Sequence, residues 1–353
     1  MYWLKIVILF ISSFCFSLII NALFIKFSQN LGIREKGNNE IRWSSSQKPA
    51  FGGITFYILF LISVAVFSIM EASDFITCNL ELLGFLLAAS IGFVAGLFDD
   101  AFNTKPFIKF ALQLLCATIL IISNSYIKIS DSNIINILLT YIWVVGIMNA
   151  VNLIDNMDAI ASIVVIFILL CFIAIMLLNG NDDGVYVFIT VGLIAAILGF
   201  LVFNWHPSKL FMGDTGSMFL GATIAFLGIK YGWNMDIAGQ SPDAWIRILS
   251  IAIIFITPLT DTTTVFFKRI SSGRSPFIGR KDHTTHHLYY LNIKERHIAL
   301  IFAFIGLISV ISTFKLVQLY NNWNVFITLG CLSFVIIVFC SLFYIANINK
   351  DKE

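Results

Sequence analysis

Aspartates recur in this chain inside short polar motifs set against apolar sequence, a placement suited to holding a divalent cation or moving a proton. Asp99 and Asp100 follow Gly96-Leu97-Phe98, and Lys105, Lys109 and Gln113 lie four apart just beyond them. Neighbouring helical residues diverge by about 100°, so the two carboxylates are expected to divide metal binding and base duty between them. The Lys105–Lys109–Gln113 series is expected to form one polar stripe. Asn149, Asn152, Asp155 and Asp158 recur every third residue, which predicts a polar face on one helical turn. Helix capping accounts for one such residue but not for four. Asp214 stands between glycines in Phe211-Met212-Gly213-Asp214-Thr215-Gly216-Ser217, downstream of Asn204-Trp205-His206-Pro207. A carboxylate in so short a loop can reach a metal, while N–H groups at a helix start suit phosphate; a plain helix cap is the bland alternative.

Two basic motifs offer partners for phosphate. Lys48-Pro49-Ala50-Phe51-Gly52-Gly53 joins a point charge to glycines that admit close backbone approach, though by itself it also reads as a membrane anchor. Arg280-Lys281-Asp282-His283-Thr284-Thr285-His286-His287 carries three histidines among cations. Zinc would need a matching Cys or carboxylate set, so diphosphate recognition fits the mixture better.

These motifs must be positioned by membrane helices. Of 353 residues, 59% are hydrophobic and only 12% are charged, against about a quarter charged in an ordinary soluble chain. The six cysteines are scattered and show no CxxC pair, so neither a disulfide framework nor a zinc site is expected. Apolar runs able to cross a bilayer recur throughout, and lipid leaves helices as the natural spanning form for runs of this length. The expectation is an all-α integral membrane protein, a single polytopic domain over 1–353. Eleven spans are expected, near 3–25, 51–70, 80–98, 107–123, 134–150, 160–178, 184–203, 212–231, 246–267, 297–315 and 323–346. The first is read as a retained helix, because it is too long for a signal-peptide core. Of the 22 Lys and Arg, 17 fall on one side of this arrangement, which the charge bias assigns to the cytoplasm. The N-terminus is then outside and the C-terminus inside. The polar motifs gather at the cytoplasmic loops near 26–50, 99–107, 150–159, 204–214 and 268–296.

Taken together and in order, from about Lys48 to Arg296, the five motifs resemble the polyprenyl-phosphate N-acetylhexosamine-1-phosphate transferase family (glycosyltransferase 4). That family includes the initiators of O-antigen, enterobacterial common antigen and teichoic acid linkage units, and the phospho-MurNAc-pentapeptide transferase of peptidoglycan synthesis. The segments Asn152–Asp158 and Phe211–Ser217 are the most specific. The resemblance implies transfer of a sugar 1-phosphate, N-acetylglucosamine 1-phosphate above others, from a UDP-N-acetylhexosamine to undecaprenyl phosphate. UMP is released and a lipid-linked envelope glycan is begun. It further implies Mg²⁺, or Mn²⁺ in its place, with Asp214 and Asp155 as ligands. Asp99, Asp100 and Asp214 are then the catalytic acids. Lys48, Lys109, Asn152, Asp155, Asn204, His283, His286 and His287 are substrate-binding residues, with the histidines on the diphosphate or sugar. The implied setting is the bacterial inner membrane, with the site facing the cytoplasm, no nucleic-acid partner, and a homodimer left open.

One departure stands out. The family often carries Asp-Gly-x-Asp-Gly where this chain has Asp155-Asn156-Met157-Asp158-Ala159, so the local turn is expected to differ. The alternatives are a phospho-MurNAc-pentapeptide transferase-like enzyme and, from another class, a secondary transporter. A transporter would place its charges near the bilayer midplane, where only Asp261 is a candidate.

Overall fold

The computed structural model describes residues 2–27, 48–71, 79–179, 184–237, 239–273 and 281–348. Arg280, expected to meet phosphate, and much of the basic loops near 26–50 and 268–296 that set the expected orientation fall outside the described residues. Thirteen α-helices follow one another among those described: α1 (Tyr2–Phe27), α2 (Gly52–Glu71), α3 (Leu80–Phe102), α4 (Pro106–Ile122), α5 (Asn133–Ile154), α6 (Ile160–Asn179), α7 (Gly184–Asn204), α8 (Gly213–Gly228), α9 (Ala244–Ile254), α10 (Ile256–Ser271), α11 (Thr284–Tyr290), α12 (Glu295–Gln318) and α13 (Val325–Ile348). A π-helical turn, Ile229–Trp233, continues α8.

Eight of these helices are long and apolar enough to cross a bilayer, and α9 with α10 makes a ninth if the pair is one span. Helices also stand at the two remaining expected spans, as α4 and as α8 with its π turn, but both are shorter. The straight helix expected over 246–267 is corrected. The chain bends there by 82° between α9 and α10. Pro258 supplies the reason: an unbroken helix would press its ring against the carbonyl of Ile254, four residues back.

Burial separates a centre from a rim. In α6 and α7, 72% and 78% of the spanning window is buried within the protein, against 28% in α1 and 17% in α13. Every residue of α8 from Thr215 to Gly228 is buried. Small residues let neighbouring backbones close on it, as membrane helices require in the absence of a water-driven hydrophobic effect between them. A Cβ on Gly96 of α3 would lie 2.1 Å from the Asp214 carbonyl oxygen, and one on Gly53 of α2 would lie 2.2 Å from the Gly216 nitrogen. Only glycine fits at these two points. The strand of chain entering α2 is also bonded to the strand entering α8, through Phe211 N to Pro49 O (2.9 Å), Gly52 N to Phe211 O (3.1 Å) and Gly53 N to Met212 O (3.0 Å). The first and fourth motifs of the sequence are therefore one structural unit.

Candidate active site

The start of α8 is where the carboxylates meet. Gly213 takes a left-handed φ of 74°, which turns the chain into the helix and brings Asp214 into its first turn, where the helix dipole favours negative charge. Asp99 reaches the same place from the last turn of α3, and Lys109 from the first turn of α4. The turn between them is short. Asn103 closes α3 at φ 51° with its N–H on the Asp99 carbonyl, and Pro106 opens α4 at a position whose N–H would be unused.

Lys109 Nζ lies 2.6 Å from Asp214 Oδ2, 3.3 Å from Asp99 Oδ2 and 3.5 Å from Asn152 Oδ1. Asn152 in turn donates from Nδ2 to Asp214 Oδ1 and to Ser217 Oγ, both at 2.9 Å. Two carboxylates and an amide oxygen thus converge on one ammonium. The cluster stays open to water, with Lys109, Asp99 and Asp214 side chains 17%, 14% and 30% exposed. Near Asp99 and Lys109 in sequence, at the end of α3 and the start of α4, Phe102 and Phe107 are largely exposed.

The adjacent carboxylate does something else. Asp100 accepts from Asp214 N (3.0 Å), Thr215 N (2.8 Å) and Thr215 Oγ1 (2.6 Å). It caps α8, satisfying N–H groups that a helix start leaves without internal partners. The two aspartates part company, though not into the metal and base roles expected: Asp100 is engaged as a cap, while Asp99 faces Lys109 and Thr104 holds its other oxygen.

The expected polar face over 149–158 is corrected, because α5 ends at Ile154 and the four residues part company. Asn149 exchanges amide hydrogen bonds with Gln113 at 2.9 and 3.0 Å. Asn152 joins the acid cluster, and Asp155 caps the end of α5. Asp158 holds Ser208 by its backbone N and by Oγ. The Lys–Lys–Gln stripe is likewise split: Lys109 and Gln113 face inward, while Lys105 is exposed at the start of α4.

The missing glycines of this turn have structural substitutes. Ala159 keeps a left-handed φ of 69°, a conformation that costs a non-glycine residue about 1–2 kcal/mol. Asn204 supports it, accepting from Ala159 N at 3.0 Å and donating to Leu210 O at 2.9 Å. Asn204 is buried, and its amide is bound to this chain's own backbone as a brace between the turn after α5 and the loop before α8. Asn156, at the other glycine position, accepts from Thr285 Oγ1 at 2.7 Å and so ties the turn to α11. Lys48 meets the loop before α8. It donates to Ser208 Oγ (3.0 Å) and lies over the Phe211 ring.

The histidine loop is not a solvated fringe. His283, His286 and His287 are all buried. Asp261, on α10, bonds His283 Nδ1 at 2.8 Å and accepts from Thr284 N and Oγ1. Arg269 grips Asp282 through two bonds of 2.9 and 2.7 Å. Burial pushes the Asp282 carboxyl up, but this fork more than offsets it and holds the group below the usual range. Burial, and then the charge of His283, push His286 down to about 3, so it is a neutral imidazole near pH 7. Lys268 Nζ contacts His287 Nε2 at 2.9 Å and donates to Ala346 O at 2.8 Å. His287, expected to contact substrate, also has a structural part in the contact with Lys268. His287→Ala removes an acceptor from a buried ammonium, and should lower stability by about 1–3 kcal/mol. A thermal midpoint in detergent equal to that of the unaltered protein would show that His287 carries no structural load.

Comparison with known proteins agrees with this geometry. Residues 82–232, which span α3 to the π turn and hold the whole acid cluster, match the glycosyl transferase family 4 profile. The chain is 29% identical over 351 residues to a probable undecaprenyl-phosphate N-acetylglucosaminyl 1-phosphate transferase of Bacillus subtilis, covering 96% of this chain and 91% of that protein. It is 29% identical over 290 residues to the decaprenyl-phosphate N-acetylglucosaminephosphotransferase of Mycobacterium leprae, covering 74% and 71%. It is 31% identical over 244 residues to a phospho-N-acetylmuramoyl-pentapeptide-transferase of Streptococcus agalactiae, covering 61% of this chain and 70% of that protein. The multi-spanning helical bundle, the acid cluster at the head of α8 and these likenesses agree on one assignment: the chain belongs to glycosyl transferase family 4.

Proposed function

We propose that this membrane protein transfers N-acetylglucosamine 1-phosphate from UDP-N-acetylglucosamine to undecaprenyl phosphate at the cytoplasmic face of the inner membrane, releasing UMP. The observation that carries the reading is the convergence of Asp99, Asp214 and Asn152 oxygens on Lys109. Phosphoryl transfer asks a protein for charge neutralisation and alignment more than for covalent chemistry. The cluster supplies both signs of charge at one point, and exposed Phe102 and Phe107, near Asp99 and Lys109 in sequence, offer apolar surface to a lipid tail.

Oxygen donors of this kind fit Mg²⁺, with Mn²⁺ as the alternative. Asp214 would hold the ion with the Asn152 amide oxygen, and Asp155, three residues further along the same segment, would be the second acidic ligand. Bound there, the ion would neutralise diphosphate charge. Among this chain's own groups, Asp99 takes the residual proton of the lipid phosphate on Oδ2, and Lys109 balances the charge. Asp100 keeps the head of α8 in place.

The test is purified protein with undecaprenyl phosphate, Mg²⁺ and a panel of UDP-sugars, followed by UMP. UMP should appear with UDP-N-acetylglucosamine, depend on the lipid, vanish with EDTA and return with Mg²⁺. The likeness to a phospho-N-acetylmuramoyl-pentapeptide-transferase favours a second donor, so UDP-MurNAc-pentapeptide belongs in the panel. Lipid-dependent UMP release from that donor alone would replace the first reading, and release from no donor would sink both.

A further inference from the structure

At the opposite end of the bundle from the acid cluster, a polar cavity of about 230 Å³ lies among the ends of several helices. Glu81 enters it from the first turn of α3, Asn179 from the end of α6 and Lys230 from the π turn after α8. Asn124 and Lys128 line it from the link between α4 and α5. Asp99 and Asp214 stand at the other ends of α3 and α8. The 16 residues of α8 set the two places about 24 Å apart, at about 1.5 Å per residue. No residue is shared between them.

The charges of this cavity are out of keeping with its side of the protein. Of the 22 Lys and Arg, five lie away from the expected cytoplasmic side: Lys5, Lys128, Lys230, Arg247 and Lys315. Two of the five line the cavity, and Arg247 Nη1 donates to the Lys128 carbonyl at 3.0 Å. Basic residues are sparse on that face as a rule, so their gathering at one place points to a use. Lys230 is matched within the protein. Its Nζ lies 2.9 Å from Glu81 Oε1, which also accepts from Tyr186 Oη at 2.6 Å. Lys128 and Asp236 are different. Both line the cavity and both are exposed. Lys128 Nζ rests over the Tyr126 ring at 5.0 Å. Among the described residues it meets no carboxylate, and the Asp236 carboxylate meets no cation. Asn179, between them and the core, donates to Asp236 O at 2.5 Å but leaves its own buried Oδ1 without a donor.

We propose that this cavity binds the headgroup of a zwitterionic phospholipid, phosphoethanolamine in class, with the phosphate on Lys128 and the ammonium on Asp236. The wall carries Glu81 and Asp236 against Lys128 and Lys230, a balance that suits a ligand with one charge of each sign and not a simple anion. The volume falls below the about 300–1,000 Å³ of drug-sized sites, as a headgroup requires. The wall is also held in shape, because Asn234 accepts from Lys128 N at 2.8 Å and donates to Tyr126 O at 2.7 Å. Its π turn supplies Lys230 and Tyr231, and such turns frequently accompany functional sites. A lipid is favoured over a soluble solute by the rim. Exposed Ile122 lies two residues before Asn124, and exposed Leu177 and Leu178 immediately precede Asn179, so apolar surface for acyl chains adjoins the polar lining.

The test uses the full-length protein in detergent, freed of copurified lipid. Short-chain phosphatidylethanolamine, phosphatidylcholine and phosphatidylglycerol are added singly, and native mass spectrometry and the thermal midpoint report binding. We expect one phosphatidylethanolamine retained per chain, with a raised midpoint. Phosphatidylcholine should bind at least tenfold more weakly, because its methylated nitrogen has no hydrogen to donate to Asp236. Phosphatidylglycerol, which lacks the cation, should be weaker by a similar factor. Lys128→Ala and Asp236→Asn should each weaken phosphatidylethanolamine at least tenfold. Both positions are exposed, so both variants should remain folded, as size exclusion will show. Equal retention of the three lipids, or unchanged phosphatidylethanolamine binding in the folded variants, would overturn the proposal and leave the cavity to water. Equal affinity for soluble glycerophosphoethanolamine would overturn the assignment to a lipid. None of these readouts depends on turnover, so failure here leaves the transferase reading untouched.

Discussion

Asp214→Ala should abolish UMP release, by at least about a thousandfold, or ~4 kcal/mol of barrier. Among the described residues, Asp214 is the one that both Lys109 and Asn152 contact from separate helices. Its loss leaves Lys109 with Asp99 and the more distant Asn152 amide oxygen, and removes the principal proposed ligand of Mg²⁺. The fold should survive, because the side chain is 30% exposed and alanine suits the first turn of a helix. The measurement pairs UMP release with a thermal midpoint on the same preparation. Activity retained within tenfold, at an unchanged midpoint, would remove Asp214 from the centre of the mechanism.

A contrast between the adjacent aspartates comes next. Asp99→Asn keeps the shape of the side chain but removes its charge and its basicity. The turnover number should fall about a hundredfold or more, with little change in thermal stability. Asp100→Ala instead leaves the N–H groups of Asp214 and Thr215 without their acceptor. Its first consequence should be a loss of about 2 kcal/mol of stability, with activity falling as α8 loosens. Turnover and thermal midpoint measured on both variants separate the roles. If Asp99→Asn works normally while Asp100→Ala is stable and inactive, the assignment of base and cap is reversed.

The helical class and the place of nearly every helix can be read from the chain, because lipid forces long apolar runs into helices and their ends carry the polar residues. The bend at Phe255 was available in principle from Pro258, but hydrophobicity runs straight through it. The motif residues were legible as a set, since Asp99, Lys109, Asn152 and Asp214 do meet. Their division of labour was not. A three-residue repeat over 149–158 looks like one helical face, yet α5 stops at Ile154, and the side chains go to partners on α4, on α8 and in the loop before α8. Asn204 and His287 show the same limit. Each has a motif position, and each is bound by groups whose distance along the chain no periodicity encodes. The meeting of Glu81, Lys128 and Lys230 around one cavity has no local signal at all.

The glycine notches at Gly96 and Gly53 bear on how the protein lives in membranes of unequal thickness. A helix that is too long or too short for its bilayer responds by tilting or by deforming the lipid around it. Here α3 and α2 abut the backbone of α8 so closely that neither can slide along it without a steric collision. The three helices must lean together, as one rigid wedge. Adjustment to the lipid then falls to the rim helices α1 and α13, which are the least embedded in protein. The spacing of Asp99 from Asp214 is thereby insulated from the thickness of the surrounding bilayer.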